Sequence, residues 1–249
     1  MGLIPLPKNF TILNRPRREV DRIEDKKYGL DVLMNFQGAW RALNSKWLED
    51  PDSLRQGELC LISDRGEFRH FRVSIEYMKK GIAAKKPSPE EAEFELWQHK
   101  DGFSVIINAP RALAELTATF LSVVIYKDPF AIRVRKVRKK DFFLLVRHAR
   151  SLGGKVTTIH LRHVKTEDMG DLSVLKISGK NIEGPNVDKL LNVAGRITRI
   201  GFQIPNLGGE EYRFWIGHWG GGTIYMPSMT EPHHAWNLIR FFEVLLESS

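Results

Sequence analysis

The stretch Asp141-Phe-Phe-Leu-Leu-Val-Arg-His-Ala-Arg-Ser-Leu-Gly-Gly-Lys-Val-Thr-Thr-Ile-His-Leu-Arg-His-Val164 changes its hydrophobic period halfway along. Phe142, Leu145, Ala149 and Leu152 recur at helical spacing behind Asp141, a residue type that caps helix N-termini. Gly153-Gly154 then supply a stop, because glycine enters the left-handed conformation that ends helices without steric cost. Residues 156–164, rich in β-branched and apolar side chains, predict a strand, and 172–178 predict a second. The unit is therefore helix, strand, strand.

The same order recurs downstream. Asn186 is placed to cap a helix carrying Val187, Leu190, Leu191, Ala194 and Ile197, and strand-like runs follow at 199–204 and 212–216. Thr230 is placed to cap a last helix over 232–246, and the three caps lie 45 and 44 residues apart. Side-chain identity between the units is weak, but a repeated topology gives the same layering with or without common ancestry. The expectation is an α+β fold: a mostly antiparallel sheet with helices packed on one face, in repeated helix-strand-strand units of ferredoxin-like kind.

Upstream, Asn108 and Pro110 signpost a helix with Leu113, Leu116, Phe120, Val123 and Val124 as its buried stripe. Two hairpins precede it, 94–99 with 103–108 around Lys100-Asp101-Gly102, and 58–63 with 68–77 around Asp64-Arg65-Gly66. Leu30, Leu33, Met34, Trp40, Leu43 and Trp47 predict an amphipathic helix over 30–48. Lys85-Lys-Pro-Ser-Pro89 loses all periodicity and reads as a domain boundary, while Pro5, Pro7 and Pro16 forbid a long helix at the start. The expected organisation is a basic arm over 1–27 that orders against a partner, a small α/β region over 28–86, and a main α+β domain over 87–249.

With 249 residues, 42% of them hydrophobic and 27% charged, the chain can bury a conventional core. The longest apolar run, 112–126, is interrupted by Glu115, so no membrane span is expected. The start lacks the basic-then-apolar order of a signal peptide and has Leu6 where a myristoylation motif needs Ser or Thr, which points to the cytoplasm. A lone Cys60 excludes internal disulfides and thiolate zinc sites, and Glu-Leu-Cys-Leu-Ile reads as a buried strand with an inert thiol.

The formal net charge is +8, and Ala131-Ile-Arg-Val-Arg-Lys-Val-Arg-Lys-Lys140 holds six cations without an acid. Such a stretch calls for a polyanion. Alternation places Arg133 and Arg135 on one face, and Arg138, Lys139 and Lys140 in the turn before a helix start, where free N–H groups also attract phosphate. Arg15, Arg17 and Arg18 load the arm in the same sense. In the aromatic run 212–226, Tyr212, Phe214 and Ile216 share one face, which leaves Arg213, Trp215 and Trp219 as a platform for stacking bases. Gly220-Gly221-Gly222 would permit close approach of a ligand but lacks the sequel of a phosphate loop.

Catalytic constellations are scarce. His160 and Arg162, two apart on one strand, form the only enzymatic candidate, a base with a cation for metal-independent RNA cleavage. No metal or cofactor is expected, since His233-His234 beside Glu231 reads as an exposed helix start and no other ligand spacing occurs. The reading reached is a non-catalytic nucleic-acid-binding accessory protein or subunit, with a single strand or a guide–target duplex and a protein as partners. Its general layout would suit an accessory lobe of a prokaryotic nucleic-acid-guided machine of the Argonaute or CRISPR type, with a role in defence, and no diagnostic residue ties it to either family. The alternatives are the metal-independent ribonuclease and a structural protein–protein subunit without nucleic-acid contact.

Overall fold

A computed structural model describes residues 8–14, 38–41, 54–65, 68–79, 88–99, 105–126, 132–166, 170–180, 182, 185–192, 194–226 and 232–245. The chain divides into two compact units, one of Thr11–Val134 and one of Met1–Phe10 with Arg135–Ser249. Both are sheet-rich α+β, and among the described residues no helix is long and apolar enough to cross a membrane.

In the first unit, β1 (Lys8–Asn14, mostly in this unit), β2 (Gly38–Arg41), β3 (Leu54–Arg65), β4 (Phe68–Lys79), β5 (Ser88–His99) and β6 (Val105–Ile107) form an antiparallel sheet in the order β2-β3-β4-β5-β6-β1. The helix α1 (Arg111–Tyr126) and the short β7 (Arg133–Val134), which pairs with β1, complete it. Alternation explains the core, because Phe71, Val73 and Ile75 of β4 meet Leu96, Phe94 and Ala92 of β5 in register while Arg72 and Glu93 pair outside at 3.0 Å. Among the α1 side chains described, the small Ala114, Thr117, Ala118 and Ser122 are buried, with Leu113 and Leu116 partly covered. The Ser122 hydroxyl accepts the Ile132 N–H at 2.7 Å, which fixes where the chain re-enters the sheet.

Several expectations change here. A strand occupies 38–41 inside the expected 30–48 helix, pairing with 56–59 of β3, and the rest of that interval lies outside the described residues. A ladder against an open β3 edge outweighs local periodicity, and Gly38 costs a helix interior about 1 kcal/mol. The strands on either side of Pro87 pair from Lys79↔Ser88 to Phe68↔His99, and the two compact units part after residues 10 and 134. Pro89 is tolerated because β6 pairs with 96–98 of β5, and among the described residues no strand lies beside the Pro89 end on that side. Within the expected arm, residues 8–14 are a strand with Phe10 to Leu13 buried. Cys60 is exposed rather than buried, opposite exposed Arg72 on the outer face.

The second unit contains α2 (Lys139–Ser151), β8 (Lys155–Thr166), β9 (Gly170–Ser178), α3 (Pro185–Asn192), β10 (Ala194–Leu207), β11 (Glu210–Gly217), β12 (Gly221–Met226) and α4 (Pro232–Glu243). The strand order is β9-β8-β10-β11-β12. Since β9 and β10 both run antiparallel to β8, they are parallel to each other, and the connection between them carries α3. Phe202 and Phe214 face each other across β10 and β11 and meet Phe241 of α4 at ring-centroid distances of 5.9 and 5.2 Å, with Phe10 and Phe242 extending the aromatic cluster. Phe142, Leu145, Val146 and Ala149 form the buried stripe of α2, and Gly153, at φ +69°, ends that helix as expected.

Asp141 sits in the first turn of α2 rather than at its cap, and its carboxylate accepts the Arg138 N–H at 2.8 Å. The helix α3 stops at Asn192, so Ala194 and Ile197 belong to β10, where pairing with β8 claims their backbone. The Gly-rich segment after β11 supplies a third strand, β12, so the second module is helix-strand-strand-strand.

Candidate functional site

Ile159, Leu161, Ile197, Ile200, Phe202, Phe214 and Ile216 point into the core beneath the helices, so their neighbours in the strands point the other way. The register sorts these outward residues into rows. Lys176, His160 and Arg199 lie opposite one another on β9, β8 and β10. Ser178, Thr158, Gly201, Trp215 and Thr223 form the next row across all five strands, and Lys155, Gln203 and Arg213 a third. At the far end Arg162 faces Arg196, both exposed.

These rows floor a groove of about 840 Å³ lined by Lys155, Lys176, Lys180, Arg199 and Arg213 together with His160, Trp215 and Tyr225. The described residues lining it include five cations and no carboxylate. Lys176 and Arg199 flank His160 in one row with no carboxylate among the lining residues, a surface suited to an anion from outside. Burial, then Arg199, then Lys176 lower the pKa of His160, which keeps its imidazole neutral at pH 7. The Arg199 guanidinium lies 3.7 Å from the centre of the Trp215 ring, a cation–π contact that holds the two groups together. Tyr225 is 48% exposed at the groove's edge. Arg213 is partly engaged, because its Nε donates to Glu211, whose carboxyl is held below its usual range first by that bond.

The glycine tract has a packing role. Gly220 has φ +82°, and a Cβ there would come within 1.7 Å of the Arg135 carbonyl oxygen. Trp219 lies over Gly217 and Gly221, and Gly222 is pressed between the Trp215 carbonyl and the Phe10 ring. Trp219 meets Trp215 edge-on at 6.4 Å, so it braces the platform more than it extends it. Close backbone approach serves the protein itself here.

The basic stretch 131–140 does not form one row. Arg135 is buried, its Nη2 donating to the Leu245 carbonyl at 2.6 Å and lying 3.7 Å from Asp141 Oδ1. Burial lowers its pKa and Asp141 works in the opposite direction, so this cation is compensated from within rather than offered to phosphate. Arg133, Arg138, Lys139 and Lys140 are exposed, and Lys139 reaches the Asn192 carbonyl at 3.4 Å. The N-terminus of α2 already holds an anion in Asp141. Arg15, Arg17 and Arg18 lie outside the described residues. Of the sequence candidates, the groove brings together Arg213, Trp215 and His160, with Arg162 on the same face beyond it.

Lys155, Lys176, Lys180, Arg199 and Tyr225 escaped the sequence reading. Each is unremarkable in its own segment, and only strand pairing gathers them: β9, β8 and β10 bring together Lys176, Lys155 and Arg199, and the pairing of β10, β11 and β12 brings up Tyr225; strict alternation around Ile159 and Ile200 was the available signal. No protein-family model matches the chain, and no curated protein sequence matches it.

Proposed function

We propose that this chain is a non-catalytic nucleic-acid-binding protein, working as an accessory or subunit, that lays a single strand across the outward face of β9-β8-β10-β11-β12. The observation that carries this reading is the gathering of Lys155, Lys176, Lys180 and Arg199 with Trp215 and Tyr225 in one groove, Arg213 beside them being engaged by Glu211. Five strands spaced about 4.8 Å apart make a face roughly 20 Å wide. Cations on such a face follow the phosphates while exposed rings stack unpaired bases, a combination that tolerates any sequence. A duplex keeps its bases stacked on each other, so the aromatic pair favours a single strand.

The test is fluorescence anisotropy of a labelled single-stranded oligonucleotide. Trp215→Ala is expected to cost about 1–3 kcal/mol in binding. Retention of full affinity by both Trp215→Ala and Tyr225→Ala would remove the platform from the account.

A second reading, metal-independent RNA cleavage, is favoured by the neutral His160 between Lys176 and Arg199, where a base would sit beside charges able to meet a phosphorane. Against it, the described residues lining the groove include no second imidazole or carboxyl to return the proton. RNA cleavage in EDTA that disappears in His160→Ala would establish it.

A further inference from the structure

The turn between β10 and β11 and the start of α4 bring together three side chains that have no part in the groove. Gly208 and Gly209, at φ +67° and +99°, make the turn, and Glu210 follows directly. Its Oε1 lies 3.4 Å from His233 Nε2 and its Oε2 lies 3.1 Å from His234 Nε2. One ligand atom from each residue can be chosen so that all three lie within 4.8 Å of one another. Glu231, the sequence neighbour, lies outside the described residues, and among those described the carboxylate facing the two imidazoles is Glu210 of the turn.

The spacing has chemical content. Ligands held at about 2.0–2.1 Å around a tetrahedral ion sit about 3.3 Å apart; the 3.1 and 3.4 Å separations here run to the two oxygens of Glu210, one toward each imidazole, and with one ligand atom from each residue the three lie within 4.8 Å, so a small turn of the side chains would close them around an ion. The surroundings hold the ligands in place. Asn237 Nδ2 donates to the Leu207 carbonyl and to the Tyr212 hydroxyl, both at 3.2 Å, and this ties the helix start to the turn. A Cβ on Gly208 would come within 2.2 Å of Asn237 Nδ2, so turn and helix are in close contact. The His234 side chain is only 7% exposed, whereas His233 and Glu210 reach solvent and leave an entry path.

We propose that Glu210, His233 and His234 form a binding site for one divalent transition-metal ion. Two imidazoles and one carboxylate suit Zn²⁺ rather than the all-oxygen preference of Mg²⁺ or Ca²⁺, and three protein ligands leave a fourth position for water. The ion would clasp the β10–β11 turn to α4, so loading stabilises the folded chain.

Untagged full-length protein, stripped with EDTA and then dialysed free of it, is titrated with Co²⁺ alone while visible absorption is followed. The expected result is d–d bands of low-coordinate cobalt saturating at one ion per chain, bleached by Zn²⁺, with Zn²⁺ raising the thermal midpoint of the parent. Glu210→Gln and His233→Ala, both at solvent-reaching positions, are expected to lose the bands while keeping the parent's thermal midpoint in EDTA. A parent without bands, or bands of equal intensity in both variants, would show that the three residues form an ion pair and nothing more.

Discussion

Arg135 shows what a charge run conceals. Six cations in ten residues contain no acid among themselves, yet Asp141, one residue past the run, takes one of them into the core. The strand ends at Val134, so alternation no longer governs the next side chain, and nothing local indicates that Arg135 turns inward. Breaking this buried pair by Arg135→Gln is expected to destabilise the protein by about 3 kcal/mol in urea denaturation, whereas Arg138→Gln should change stability by less than about 0.5 kcal/mol. His70 makes a second case at this scale. Burial, with a contribution from Arg72, lowers its pKa from 6.5 to about 4, and Glu95 at 3.7 Å does not offset this. The unfolded chain therefore binds a proton that the folded chain refuses between those values, and the stability present above pH 6.5 is lost as pH falls toward 4. The loss is on the order of 3 kcal/mol. Denaturation curves of His70→Gln taken across this window should fall less steeply with pH than those of the parent; parallel profiles would mean that His70 titrates normally.

At the scale of elements, turn chemistry and strong periodicity were legible. Asp64-Arg65-Gly66 and Lys100-Asp101-Gly102 announced the β3–β4 and β5–β6 hairpins, and the apolar stripes announced α2 and α4. What stayed hidden depended on partners distant in sequence: β2 is a strand because β3 offers an edge, and the end of α3 is set by the pairing of Ala194 with Lys165. The glycine tract was visible as a composition but not as a use, because its reason lies in Arg135, Trp219 and Phe10. This difference can be measured. Gly220→Ala combines a positive φ with a clash against backbone and should cost more than about 2 kcal/mol, while Gly209→Ala, with φ +99° and open space around it, should cost only the local strain of about 1 kcal/mol. Equal losses in thermal or urea unfolding would refute the packing role.

For the whole molecule, the α+β class and the excess of positive charge could be read from composition and pattern, and the place where that charge converges could not. Net charge has no address until strand order is known. The order β9-β8-β10-β11-β12 carries cations from separate sequence segments to one face, and the buried face beneath forces them outward. Exposed Arg133, Arg138, Lys139 and Lys140 add to the long-range field. The most direct measurement of the central claim is the salt dependence of single-strand affinity in two triple variants. Removing one cation that neutralises a phosphate lowers the slope of log K against log salt by about 0.7, so Lys155→Ala, Lys176→Ala and Arg199→Ala combined should lower it by about 2. Arg138→Ala, Lys139→Ala and Lys140→Ala combined should leave it near the parental value. A parental slope in the groove variant, with the drop appearing in the other, would contradict the account.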